Sequence, residues 1–377
     1  MPHFEERHTG STRNRRGACS STVTMRIAMI STPFVAVPPP RYGGTELIVA
    51  ELVTGLAAAG HEVTLFATGD SRPPGNTTLR ARFDRPHWPP DAYIELDHAA
   101  FAVEEILADS RGYDVVHAHV PAALPFARML DMPMVYTVHH DDGAEYVRLQ
   151  ALYRRSRAHF VAISARQRAL MQELADARVI HHGLDQACHR FGAGDGGYCA
   201  FLGRFALEKG PHAAIDAARA AGVPIRLAGA PHWRDHDYFE REIGARLCRP
   251  GVTAVGEVGG KEKRDFLADA CALLFPVEWE EPFGLVMIEA MLSGTPVLAF
   301  ARGSVPEIVE DGVTGFICRD TDEMAARLRA IGSFDRAACQ QRALERWTST
   351  RMVRDYVSLY EAVQSWVGDV RAAETVA

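Results

Sequence analysis

The chain has no Cys-x-x-Cys pair among its seven cysteines, Cys19, Cys188, Cys199, Cys248, Cys271, Cys318 and Cys339. Scattered thiols of this kind make neither a disulfide framework nor a zinc ribbon, and they fit a reducing cytoplasm. No apolar run reaches the roughly 18 residues of a membrane span, which leaves peripheral contact with the inner membrane face open. Residues 1–24 carry Arg7, Arg13, Arg15 and Arg16 but lack the apolar core of a signal peptide. They read as a disordered extension, with Met25 as a candidate start. Positive charge is not in excess either. A net charge of -7 argues against a general nucleic-acid binder. There is no short tandem repeat. The glycines after the first strand are not Gly-x-Gly-x-x-Gly and no Walker lysine follows them, which speaks against a nicotinamide oxidoreductase and a P-loop enzyme.

What is present is an ordinary globular composition, 47% hydrophobic and 24% charged, over 377 residues, enough for two or three domains. Strand and helix patterns alternate. Strands are expected at 25–31, 62–67, 115–119, 134–138, 159–164 and 177–180, with a helix at 45–59 that carries Ile48, Leu52 and Leu56 on one face. Gly192 to Gly197 reads as a linker, after which the alternation restarts. Strands follow at 198–203, 225–228, 252–255, 272–275 and 296–300, with a helix at 211–221 and a last helix at 352–367. The pattern predicts an α/β protein of two doubly wound parallel sheets facing across a cleft, with ligands beyond the carboxyl ends of the strands. The units are 25–191, 198–351 and a C-terminal segment, 352–377.

The most informative stretch is Glu-Glu-Pro-Phe-Gly-Leu-Val-Met-Ile-Glu-Ala-Met, residues 280–291. Pro282 fits a first helical position, and Leu285 to Leu292 reads as an apolar helix. The free N–H groups at its start suit an anion, with Glu281 at the mouth and Glu289 two turns in. Two such carboxylates can accept hydrogen bonds from hydroxyls at both ends of one ligand with a phosphate between them. A nucleoside diphosphate sugar has that layout. Arg204 and Lys209 follow a strand end, where a diphosphate would lie; taken alone they also fit a solvated surface. Gly43 and Gly44 precede a helix and permit close approach of a ligand, though a plain turn is the simpler reading of two glycines.

His117 and His119 share one face at a strand end, where an imidazole can bond a sugar hydroxyl; a buried structural histidine is the rival reading, above all for His117. His139, His140, Asp141 and Asp142 end the next strand, with a spacing that fits no standard metal site. Asp235-His236-Asp237 and the arginines at 148, 154, 155 and 157 read as surface. Trp88, Trp233 and Trp279 read as packing aromatics before sugar platforms.

Taken in order, Tyr-Gly-Gly-Thr-Glu (42–46), His-Ala-His (117–119), Gly-Arg-x4-Lys-Gly (203–210), Glu-x7-Glu (281–289), Gly-Thr-Pro-Val (294–297), Gly-Ser-Val-Pro-Glu (303–307) and Asp-Gly-Val-Thr-Gly-Phe (311–316) resemble the retaining glycosyltransferases of family 4. Residues 25–367 are covered, and the details look most like the avilamycin-type subgroup. The resemblance implies the GT-B fold, two Rossmann-like domains with the last helix crossing back to the first. It implies that Arg204 and Lys209 bind the donor diphosphate, that Glu289 holds the ribose and that Glu281 holds the transferred sugar. Backbone N–H groups of Phe283, Gly284, Leu285 and Val286 would meet sugar or phosphate. Gly43, Gly44 and Gly203 would flank the diphosphate, and His119 would line the sugar and acceptor side. It also implies no bound metal and no cofactor, with a UDP- or GDP-hexose donor and a hydroxyl acceptor on a glycan, lipid-linked sugar or small molecule. A sugar-nucleotide epimerase or hydrolase on the same fold is the alternative, invited by the cluster at 139–142. A non-catalytic nucleotide-sugar binder is a further one, and the intact Arg204, Lys209, Glu281 and Glu289 argue against it.

Overall fold

The computed structural model describes residues 24–139, 158–171, 176–231 and 235–376. The expectations for the N-terminal extension up to residue 23, for His140 to Asp142, for the arginines at 148–157 and for Trp233 lie outside these residues.

Among the described residues, thirteen strands lie in two sheets. The first is built from β1 (Arg26–Ile30), β2 (Glu62–Phe66), β3 (Thr77–Arg80), β4 (Val115–Ala118), β5 (Met134–Val138), β6 (Ala158–Ala162) and β7 (Arg178–Val179), in the order β3-β2-β1-β4-β5-β6-β7. The second is built from β8 (Cys199–Leu202), β9 (Ile225–Ala228), β10 (Val252–Gly256), β11 (Leu273–Phe275), β12 (Val297–Phe300) and β13 (Gly315–Cys318), in the order β10-β9-β8-β11-β12-β13. Every pairing is parallel. Central strands such as β4 and β5 are buried at every position, as parallel strands covered by helices on both faces must be. The order reverses between β1 and β4 in one sheet and between β8 and β11 in the other, and crevices open at such switch points.

The helices are α1 (Gly44–Ala58), α2 (Ala92–Ala108), α3 (Ala165–Leu170), α4 (Pro211–Ala221), α5 (Gly260–Asp269), α6 (Leu285–Leu292), α7 (Val305–Ile308), α8 (Thr321–Arg329), α9 (Arg336–Arg346) and α10 (Ser349–Val376). Ile48, Leu52 and Leu56 of α1 are fully buried, as their spacing requires. None of the helices is long and apolar enough to cross a membrane among the described residues.

Helix α10 returns to the first sheet. Tyr360 and Tyr356 of α10 meet His117 Nδ1 at 2.7 Å and Thr137 Oγ1 at 2.8 Å. One apolar core therefore runs from Ile48 and Leu52 of α1 through Tyr356 and Tyr360 to Phe283 and Met287.

Two expectations need correction. Pro282 is not the first helical residue. Gly284, at φ 78°, is the N-cap, and the helix begins at Leu285. A left-handed cap needs glycine, so the Pro-Phe-Gly turn leads in without being helical. The last helix starts at Ser349, before Met352, and runs to Val376. The glycine stretch read as a linker is laid against the second unit: Gly192 N donates to Ser293 O at 3.1 Å and Gly196 N to Asp269 O at 2.9 Å.

Candidate functional site

The second sheet's switch point carries Arg204, Lys209 and Glu281. β8 ends at Leu202, and the loop Gly203 to Lys209 follows. β11 ends at Phe275, and the loop to Glu281 follows. The two loops are joined by Glu278 N donating to Glu208 O at 3.0 Å. Lys209 Nζ lies 2.6 Å from Glu281 Oε2 and 4.4 Å from the centre of the Trp279 ring. Trp279 Nε1 donates to the same carboxylate oxygen at 2.9 Å. Glu281 is 7% exposed and so depends on these two donors. Arg204 bonds Glu208 at 3.2 Å through one terminal nitrogen, while its Nε is buried and without a partner. A buried donor in that state costs about 1–3 kcal/mol, which an oxyanion would remove.

Glu289, on the second turn of α6, is 5% exposed and paired with Lys263 of α5. Lys263 was not anticipated. It stands in a polar, Lys-rich helix that has no distinctive spacing in the sequence. Gly284, Leu285 and Val286 form the start of α6, where N–H groups lack intrahelical partners.

The first domain meets this site through the turn before α1. A Cβ added to Gly44 would lie 3.4 Å from Leu285 Cδ1, and one added to Gly43 would lie 2.8 Å from Pro39 Cβ. Pro40 and Arg41 approach Gly259 just before α5 in the same way. Glu46, in the first turn of α1, is buried, which raises its carboxyl pKa against the opposing effect of a hydrogen bond from Thr32. Sequence reasoning missed Glu46 as well, although it closes the Tyr-Gly-Gly-Thr-Glu motif.

The histidines form a row. His117 is structural, held between Tyr360 and Thr137, with Nε2 2.8 Å from Thr137 Oγ1. His119 is nearly as buried, at 4% exposure. Its Nδ1 lies 2.7 Å from His139 Nε2, and its Nε2 lies 3.1 Å from Met29 Sδ. His139 stacks on His182 at 5.4 Å, and His182 meets Phe283 edge-on at 4.9 Å. The row therefore links the first sheet to the loop that carries Glu281. Burial is the main cause that pushes His117 and His182 down to about 3 and His119 well below its ordinary value. All three are neutral at neutral pH.

Lys209 and Glu281 are thus brought into contact, with Arg204 paired to Glu208 on the same loop, and Gly44 stands opposite the start of α6. Among the described residues, His119 is linked to the second domain through His139 and His182. Among the described residues no cluster of three or more His, Cys, Asp or Glu side chains is arranged for a metal, and Asp235-His236-Asp237 is no exception. A surface hollow of about 430 Å³, lined by Arg82, Asp97 and Glu104, contains none of these residues.

Two facing Rossmann-like domains, with paired charges at the switch point of the second and the last helix returning to the first, make the GT-B architecture. The profile described as Glycosyltransferase Family 4 matches residues 42–187, and that of Glycosyl transferases group 1 matches residues 192–339. The chain belongs to the family-4 type of GT-B glycosyltransferases. It is 28% identical to a glycogen synthase of Mycobacterium tuberculosis, over 88% of this chain and 91% of that protein. It is similar to AviGT4, a glycosyltransferase involved in avilamycin A biosynthesis, at 26% identity and a TM-score of 0.67, covering 90% and 98% of the two chains. The HepE protein of Anabaena, solved in complex with UDP-glucose, shares the fold at 19% identity and a TM-score of 0.70, covering 90% of this chain and 100% of that one.

Proposed function

We propose that this glycosyltransferase moves a hexose from a nucleoside diphosphate sugar to a hydroxyl acceptor, with retention at the anomeric carbon and without a resident metal. The observation that carries this reading is the pairing of Lys209 with Glu281 at the second switch point, with Arg204 on the same loop, beside the start of α6. In it, Arg204 and Lys209 take the diphosphate, and the unpartnered Arg204 Nε gains its missing acceptor. Glu281, released in part from Lys209, accepts from sugar hydroxyls, and Glu289 accepts from the ribose. Phe283 to Val286 offer backbone N–H groups, and Gly43, Gly44 and Gly203 let the chain approach the diphosphate. The bound UDP-glucose of the Anabaena protein supports a nucleoside diphosphate hexose as donor.

The bond between the anomeric carbon and the diphosphate oxygen breaks first, its electron pair leaving with the diphosphate. Positive charge on Arg204 and Lys209, aimed at where negative charge develops, lowers that barrier. The acceptor oxygen then bonds the anomeric carbon on the same face, and its proton passes to the departing phosphate oxygen. No protein nucleophile is needed. The epimerase or hydrolase reading gains nothing from His139, which is engaged by His119. A cytoplasmic location, with or without peripheral membrane contact, belongs to the same proposal.

The test is a thermal shift with a panel of nucleoside diphosphates in EDTA, followed by turnover. A ligand at about 100 times its dissociation constant adds roughly 2.7 kcal/mol. Arg204→Ala and Lys209→Ala are each expected to lower turnover by about 10²-fold or more. Absence of any shift, near-normal turnover in both variants, or inversion at the anomeric carbon in product NMR would sink the reading.

A further inference from the structure

One carboxylate of the second domain is bonded by backbone of the first. Glu307, on α7, accepts from Ala165 N at 2.9 Å and from Arg166 N at 3.3 Å. It also pairs with His181 of the loop after β7. Ser164 Oγ already caps the Gln167 N–H of α3 at 3.0 Å, so Glu307 satisfies the two N–H groups that the cap leaves free. Beside it Arg166 makes a two-pronged pair with Glu280, at 2.8 and 3.1 Å. Glu280 directly precedes the sugar-site residue Glu281.

The segment that carries Glu307 also holds that loop from below. Ser304 N donates to Glu281 O at 2.8 Å, and Ser304 Oγ donates to Phe283 O at 2.8 Å. Gly303, at φ 55°, lies so close that any Cβ there would collide with the Glu281 backbone. Loop 280–283 is therefore gripped between residues 303–304 of its own domain and Arg166 and His182 of the other.

We infer that Glu307 is a positioning residue: with Arg166 and Glu280 it clasps the first domain to the loop of Glu281, and so sets the sugar-binding carboxylate against the acceptor side. The inference rests on the donor reading above. Glu307 touches no reacting atom. Its loss leaves the diphosphate residues Arg204 and Lys209 in place, and misplaces the sugar relative to the first domain.

Two variants of the full chain test this, Glu307→Gln and Arg166→Ala. Arg166 is 47% exposed, so its variant folds even where the first does not. Three readouts are needed: amide hydrogen exchange at Ala165 and Arg166, calorimetric Kd for uridine and guanosine diphosphate, and kcat. Glu307→Gln is expected to speed exchange and to lower kcat by about 10-fold or more, with diphosphate Kd within about 3-fold of wild type. Arg166→Ala lowers kcat by about 3-fold at unchanged Kd. Arg166→Glu combined with Glu280→Arg restores it. Unchanged kcat and exchange overturn the clasp, and so does a Kd that weakens in step with kcat, which would make the effect one of donor binding. If wild type binds no nucleoside diphosphate of the panel, the donor reading fails, while the exchange data still decide whether Glu307 clasps the domains.

Discussion

Four imidazoles, of His117, His119, His139 and His182, stand in contact from the first sheet to Phe283. Burial holds His117, His119 and His182 of this row neutral. This has a consequence for stability. In the unfolded chain each takes a proton near 6.5; folded, His117 and His182 do so only near 3, and His98, buried under β1 and outside the row, near 4. Between those values the unfolded chain binds more protons, so stability must fall as pH falls below about 6.5. From pH 7 to 5 each such ring contributes a loss of at most about 2 kcal/mol. Urea unfolding at the two pH values measures it, and His98→Phe, which removes one titrating ring, should make the dependence shallower. A flat profile would contradict neutral burial. The row also shows what a sequence yields at this scale. His117 and His119 announce themselves by two-residue spacing at a strand end. His182, over 60 residues on, joins them only because β7 lies three strands from β4, and no local pattern records that.

Elements were legible in proportion to how far their own residues determine them. Strands buried on both faces, such as Met134–Val138 and Leu273–Phe275, are apolar runs with clear edges. So is the helix Pro211–Ala221, with proline at its start and Gly222 after its end. The edge strand Thr77–Arg80 is half exposed and polar, and α5, α8 and α9 are charged surface helices; all depend on tertiary support and left no signal strong enough to read. Gly55 is a related case. In isolation a mid-helix glycine is a defect of about 1 kcal/mol against alanine. Here it lets α1 and the returning helix α10 meet, since a Cβ at Gly55 would overlap the Val353 side chain. Gly55→Ala is therefore expected to lower the unfolding free energy by about 1–3 kcal/mol, against its helix propensity. Adding Val353→Ala should recover part of the loss. A stabilised single variant in chemical denaturation would show that the helices do not depend on this approach.

At the scale of the whole molecule, two kinds of contact hold the domains together and they respond differently to solvent. The apolar one joins α1, α10 and Phe283 near the crossing helix. The charged one lies at the rim, where Arg166 and Glu280 are 47% and 42% exposed. Exposed ion pairs contribute little in strong salt, because the screening length falls from about 10 Å at 0.1 M to about 3 Å at 1 M. Salt should therefore open the rim and leave the crossing intact, making α10 the axis of opening. A donor that bridges Arg204, Lys209 and Glu281 to the first-domain turn at Gly44 would then draw the rim shut. The expected result is a larger donor-induced fall in radius of gyration by X-ray scattering at 1 M than at 0.1 M sodium chloride, with kcat/KM lower at the higher salt. Equal compaction at both salt concentrations would mean that the apolar contact alone sets the angle between the domains, and the rim charges would then have no part in closure.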